Sequence, residues 1–69
     1  MDWTWDEKSQ TYFYGTEKHG CGVYEENGKW CGNVSAYGQI IMVGEKPSQL
    51  EAQNSCIEQL KALEDTWGG

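Results

Sequence analysis

The chain has 69 residues, of which eleven are acidic and five are lysine, with no arginine and a net charge of −6. Affinity for a nucleic-acid backbone comes from Lys and Arg, so this balance argues against direct nucleic-acid binding and favours a partner protein with a basic surface. No stretch approaches the roughly 20 apolar residues of a membrane span, and the N-terminus lacks the basic start and apolar run of a signal peptide. We expect one small cytoplasmic domain, residues 1–69.

Short strand-forming runs fill the first two thirds of the chain. They are rich in aromatic and β-branched residues and are separated by glycine and other turn formers. Their sequences are DWTWD, TYFYG, GVYEE, KWCGNVS and QIIMVG. These runs predict an antiparallel sheet of three to five strands over about residues 2–43.

Asn27-Gly28 is the strongest turn signal, because both residues of a type I′ hairpin turn need positive φ. With this pair as the loop, Tyr24 lies opposite Cys31, and each position i pairs with position 55 − i. Alternation then sorts the side chains onto two faces. One face carries Cys21, Val23, Trp30 and Val34, and the other carries Tyr24, Cys31, Asn33, Glu26 and Lys29.

The preceding hairpin is less strongly specified. If a two-residue loop closes it within EKHG, Tyr12 and Tyr14 lie on the face of Val23. Phe13 then lies on the face of Tyr24. A three-residue loop would exchange the two faces, because side chains alternate with every residue.

The last third of the chain predicts one amphipathic helix over about residues 49–65. Ser48 stands three residues before Glu51, the spacing of a capping box in which the hydroxyl accepts from the backbone N–H at position 51. An apolar stripe at helical spacing consists of Leu50, Cys56, Ile57, Leu60 and Leu63, with Trp67 as a further candidate. The predicted fold is therefore α+β, an antiparallel sheet with one C-terminal helix packed on one face and the other face free.

Catalytic and metal-binding signals are weak. Cys21 and Cys31 are predicted on opposite faces and cannot form a disulfide with each other. A zinc site would have to gather His19, Cys21 and Cys56, which is three ligands at best and lacks a C-x2-C pair. Adjacent carboxylates have no predicted pocket around them. We expect no enzyme, no metal, no cofactor and reduced thiols.

The terminal Gly68-Gly69 has two interpretations. Ubiquitin-like modifiers and sulfur carriers end in Gly-Gly, but their pair extends from a final strand and their main helix lies in mid-chain. Here the pair follows a predicted C-terminal helix, where glycine commonly ends a helix. A carrier function is therefore a minor alternative.

Aromatic residues and acidic charge together predict a protein-binding surface. Exposed rings anchor a partner at low entropic cost, and carboxylates steer a basic one. The candidate patch consists of Phe13, Tyr24 and Cys31, edged by Glu17, Glu25 and Glu26. The N-terminal segment MDWTWDE, with Trp3 and Trp5, is a candidate to extend it, but the sequence does not determine on which face of the sheet these two tryptophans lie. The alternative is self-association, in which two copies form a homodimer through their open sheet faces or edge strands. Repulsion between two acidic surfaces disfavours this dimer.

In size, acidity and sheet-plus-helix layout, the chain resembles the small acidic phage proteins that block host defences, the anti-CRISPR proteins among them, some of which mimic nucleic acid. The resemblance implies an inhibitor that occupies a basic, nucleic-acid-binding surface of a host complex, and it transfers no individual residues. The sheet followed by PSQLEAQNSCIEQL is also similar to the layout of HicB-type antitoxins and of the arm-binding domains of phage integrases. The latter are basic and this chain is acidic, so DNA binding does not carry over.

Overall fold

The computed structural model describes residues 3–68 and has the predicted α+β fold, a five-stranded antiparallel sheet with one C-terminal helix. The strands are β1 (Thr4–Asp6), β2 (Thr11–Gly15), β3 (Gly20–Glu26), β4 (Lys29–Ala36) and β5 (Gln39–Lys46), and they lie side by side in chain order. Helix α1 (Gln49–Leu63) follows and continues into a wider helical turn, Glu64–Gly68. The sheet extends beyond its predicted end at residue 43, and its predicted start at Asp2 lies outside the described residues.

Two tight turns connect the last three strands. Asn27 and Gly28 have φ of 53° and 79°, and Tyr37 and Gly38 have φ of 53° and 75°, which is the pattern of type I′ turns. The pairs between β3 and β4 all follow the predicted register, with Tyr24 opposite its partner Cys31. The hairpin prediction is therefore confirmed.

A four-residue connection, 16–19, joins β2 to β3, and the backbone N–H of Thr16 donates to the carbonyl of His19 across it at 3.1 Å. The face assignment assumed a two-residue loop. Because both lengths are even, the side chains alternate as predicted, and Tyr12 pairs with Val23 on the face that α1 covers. Phe13 consequently lies on the opposite face.

Trp5 in β1 and Trp3 just before it lie on the helix side of the sheet. Trp5 pairs with Tyr12, and their ring centroids are 4.7 Å apart. Trp3 stacks at 5.5 Å against Tyr14, which lies on the same face. Both tryptophans therefore lie on the helix side of the sheet, a position that the sequence alone did not determine.

Helix α1 packs across β3, β4 and β5. As predicted, Ser48 caps it, with its Oγ accepting from the backbone N–H of Glu51 at 3.3 Å. The core forms between the helix residues Ala52, Cys56, Ile57, Leu60 and Leu63 and the sheet residues Cys21, Val23, Val34 and Ala36. In the described part of the chain, no helix is long and apolar enough to cross a membrane.

Two members of the predicted helix stripe are not buried. Leu50 is 65% exposed and Trp67 is 59% exposed, so the prediction is wrong for both. Leu50 is the second residue of α1, and at 100° per residue it lies only about 20° around the helix from Ile57, which is buried. Leu50 is therefore exposed because it lies in the first turn of the helix, not because it faces a different side. Trp67 lies in the wider turn beyond the end of α1.

Candidate protein-binding surface

The sheet face that α1 does not cover, called the open face below, brings three predicted site residues together. Phe13 comes from β2, Tyr24 from β3 and Cys31 from β4. Strand pairing arranges the side chains in rows across the sheet, and one row contains Phe13, Gly22, Asn33 and Met42. Tyr24 and Cys31 lie in the neighbouring row, and Cys31 is buried, with 8% of its surface exposed. The three residues therefore share one face, but Phe13 and Tyr24 are the ones that offer accessible rings there.

The open face is more apolar than the sequence analysis predicted. Ile40 is 73% exposed and Met42 is 62% exposed, and both project from β5. Phe13, on the other side of β3, is 44% exposed. Gly22 lies low between these strands, since a Cβ there would meet the Phe13 ring at 3.5 Å and Asn33 Oδ1 at 3.0 Å. The strip between Phe13 on one side and Ile40 and Met42 on the other is called the trough below. Its two sides are apolar, and the Asn33 amide lies beside Gly22 between them.

Carboxylates stand at one end of this trough, near Tyr24 and Cys31. Burial, reinforced by the charges of Glu26 and Glu45, raises the pKa of the Cys31 thiol. Burial first, and then Cys31 and Glu26, raise the pKa of Tyr24. Glu26 therefore lies on the same face as Tyr24 and opposite Lys29. Glu25 pairs with Trp30 and projects from the other face of the sheet, so it does not edge the patch.

Glu45 reaches this cluster through an irregularity that the sequence did not predict. Trp30 pairs with Lys46, but Gly32 pairs with Val43, so β5 has one residue more than β4 between these pairs. Such a bulge redirects a side chain and bends the strand. It places Glu45 opposite Cys31, and no turn or charge pattern in the sequence signalled this.

A second acidic edge lies beside the Phe13 ring. A shallow depression there is lined by Asp6, Phe13, Gly15, Thr16 and Glu17. Asp6 also accepts a hydrogen bond from Ser9 Oγ at 2.6 Å. Glu17 was predicted at the edge of the patch. Asp6 belongs to the N-terminal segment MDWTWDE that was a candidate to extend the patch, but the pairing of this segment was not predicted.

Trp3 and Trp5 do not extend the open face. They lie on the helix side, where α1 leaves β1 and β2 uncovered, and Trp5 is 45% exposed. Tyr12 contacts Trp5 and lies 6.4 Å from the Trp30 ring. The tryptophans thus form a separate aromatic surface with their strand neighbours.

The cysteines are all free thiols. Cys21 and Cys56 are buried between β3 and α1, and Cys31 lies on the opposite face, which confirms that Cys21 and Cys31 cannot pair. A hydrogen bond with Cys56, together with burial, raises the pKa of Cys21. Within residues 3–68, no group of three or more His, Cys, Asp or Glu side chains is placed to hold a metal ion.

His19 immediately precedes β3, and its side chain contacts Glu64 and Tyr37. Its Nε2 is 3.1 Å from Glu64 Oε2, and its ring meets the Tyr37 ring edge-on at 5.2 Å. Gly68 packs on the same tyrosine, since a Cβ there would come within 2.7 Å of Tyr37 Oη. Gly69, the second residue of the terminal Gly-Gly pair, lies outside the described residues.

The chain matches no protein-family model, no curated protein and no solved structure. Its function is therefore inferred from the chemistry of its own surface. An exposed apolar trough between acidic edges can bury area against a partner and attract a basic one.

Proposed function

We propose that this protein is a small binding module whose open face docks onto the basic surface of another protein. The observation that supports this proposal is the exposure of Phe13, Ile40 and Met42 on a face that α1 leaves uncovered. Aromatic and methionine side chains are enriched at the centres of protein interfaces, and a few residues buried there provide most of the binding energy. Carboxylates at both ends of the trough, including Glu17 and Glu26, select a basic partner.

The target surface is one that binds nucleic acid. A net charge of −6 without arginine complements the Lys-rich and Arg-rich surfaces that contact phosphate backbones. A module bound there excludes nucleic acid by occupying its site, which is the action that the resemblance to anti-CRISPR proteins implies. The module acts in the cytoplasm, where it meets such a host complex.

The test is capture of the partner and its release by nucleic acid. Tagged protein is incubated with lysate of its native host at low and high salt, and the captured complex is then challenged with DNA or RNA. Phe13→Ala and Trp5→Ala are a matched pair, because the two rings are 44% and 45% exposed on opposite faces of the sheet.

Wild type and Trp5→Ala should capture the same basic protein. Phe13→Ala should bind it at least about tenfold more weakly, as expected for loss of an interface anchor. Salt should weaken capture, and nucleic acid should release the partner. Equal capture by Phe13→Ala, or a partner that nucleic acid does not displace, would contradict the proposal.

Self-association is the second candidate, and the position of Ile40 and Met42 favours it. Both residues lie on an edge strand, where two copies could bury them against each other. A dimer by light scattering that Met42→Asp converts to monomer, with no other protein captured from the lysate, would support this alternative.

A further inference from the structure

The two edges of the sheet differ greatly in length. β1 has three residues, whereas β5 has eight, and within residues 3–68 no strand pairs with the outer side of β5. Edge strands are usually protected by charges, proline or a bulge. The stretch 40–43 is Ile-Ile-Met-Val and has none of these, since the bulge and the charges of Glu45 and Lys46 come after it. A long and unprotected set of backbone donors and acceptors is therefore available.

The two sides of this edge have different chemistry. On the open face, Ile40 and Met42 project beside it and are largely exposed. On the helix side, a cleft runs between the end of β5 and the flank of α1. The cleft is lined by Glu45 and Lys46 from the strand and by Glu51, Asn54, Ser55 and Glu58 from the helix. Glu45 lies at the bulge in the edge strand, where it acts on Cys31 of the open face and also lines this cleft. The cleft therefore has three carboxylates and one lysine and is acidic.

We infer that the outer edge of β5 binds an extended strand of the basic partner. The inference rests on the proposed function and specifies how the partner is recognised. Backbone hydrogen bonds along β5 hold the added strand, as in other cases where a peptide extends a sheet. Side chains of a strand point alternately to the two faces, so apolar residues lie against Ile40 and Met42. The intervening residues are Lys or Arg and point toward the cleft that contains Glu51 and Glu58.

The β5 edge therefore recognises the sequence pattern of the bound segment as well as its positive charge. A bound segment alternates basic and apolar residues with a period of two, and its affinity depends on its backbone N–H groups. A second copy of this chain fits the edge less well, because the strip Gln39–Val43 supplies no basic residue for the cleft. Charge complementarity therefore favours the partner over the homodimer.

The experiment uses labelled peptides as long as β5, 8 residues, and measures their binding to the full chain by fluorescence anisotropy. One peptide alternates Lys and Val, a second has the same composition in two blocks, and a third is the alternating peptide with N-methyl groups on every second residue. We expect the alternating peptide to bind at least about tenfold more tightly than either control. Equal binding of the three peptides would overturn the inference.

Two double variants test the cleft at equal net charge. Glu51→Gln/Glu58→Gln should weaken binding of the alternating peptide about fivefold and reduce its salt dependence. Glu7→Gln/Asp65→Asn removes the same charge from the β1–β2 connection and from the turn beyond α1, away from the cleft. It should leave binding within about twofold, since remote surface charges are screened. Equal losses in the two variants would show attraction by net charge alone and would contradict strand recognition at β5.

The outcomes separate this inference from the proposed function. If the three peptides bind equally while Phe13→Ala still abolishes partner capture, the open face is the binding surface and the β5 edge is not. If Phe13→Ala captures the partner normally, the proposed function fails whatever the peptides do. If the peptide is excluded because two copies pair through β5, light scattering shows a dimer and the inference is overturned in favour of self-association.

Discussion

Gly32 on β4 lies directly beneath Cys56 of α1, and a Cβ at Gly32 would overlap the Cys56 sulfur. Gly32 pairs with Val23 at the centre of the sheet, and Cys56 is fully buried. The helix therefore approaches the sheet so closely here that only a residue without a side chain fits. This contact sets the distance between the two layers.

Gly32→Ala should destabilise the protein by about 2 kcal/mol or more, because overpacking forces the helix away from the sheet. The measurement is the free energy of unfolding from denaturant titration followed by circular dichroism. Gly44→Ala is the control, since a Cβ at Gly44 meets nothing within 4 Å, and its effect should stay within about 0.5 kcal/mol. Similar losses for the two variants would show that the layers are not in contact at Gly32.

Leu60→Ala and Leu50→Ala are the same substitution in the same helix, but one leucine is buried and the other is exposed. Leu60 is 5% exposed, whereas Leu50 is 65% exposed. We expect a loss of about 3 kcal/mol for Leu60→Ala, from lost burial and the cavity left behind. Leu50→Ala should change the free energy of unfolding by less than about 0.5 kcal/mol. The same denaturant titration measures both, and a large loss at Leu50 would mean that the first turn of α1 is packed against the rest of the protein.

The best-predicted parts of the fold are those governed by local rules. Asn27-Gly28 requires positive φ at both positions, so one dipeptide determines the register of two strands. Alternation then assigned Val23 and Tyr24 to opposite faces without any knowledge of the tertiary structure. The Ser48 cap follows from an equally local spacing.

The errors fall where a pattern leaves several arrangements possible. Leu50 fits a helical stripe by spacing alone, and only packing against the sheet decides how far along the helix that stripe is buried. The sides of Trp3 and Trp5 depend on the turn before β2, where Gln10 adopts a φ of 52°. Glutamine gives no signal of this conformation, which is more typical of glycine or asparagine.

The candidate surface was only partly predictable for the same reasons. Phe13, Tyr24 and Cys31 follow from alternation across two hairpins. Glu45 joins them through the bulge in β5, and the exposure of Met42 depends on that strand being at the edge. Strand order and bulges arise from pairing between segments, so no single segment encodes them.

Ser48→Ala should lower the free energy of unfolding by about 1 kcal/mol, the usual effect of losing an N-cap. The Ser48 hydroxyl accepts from the backbone N–H of Glu51, which has no carbonyl partner within the first turn of the helix. Ser55→Ala is the matched control inside α1, where alanine favours the helix and no loss is expected. Thermal and denaturant unfolding should both report the difference. Equal behaviour of the two variants would mean that the cap does not stabilise the helix.

Cys31 should react with iodoacetamide at a higher pH than the same cysteine in the unfolded chain. The thiolate is the reactive form, and burial together with the charges of Glu26 and Glu45 raises the pKa of Cys31. At a fixed pH near 8, the native protein should therefore be labelled more slowly at this residue than the chain in denaturant, as peptide mass mapping can quantify.

Removing one of the two charges tests the cause of that shift. Glu26→Gln should lower the pKa of Cys31 and increase its labelling rate at fixed pH, because a negative charge near the thiolate is lost. Glu58→Gln removes a charge on the helix, on the other side of the sheet, and should leave the rate at Cys31 unchanged. If Glu26→Gln also leaves it unchanged while burial of Cys31 is intact, Glu26 does not act on the Cys31 thiol. In that case the acidic edge assigned to this end of the open face is absent.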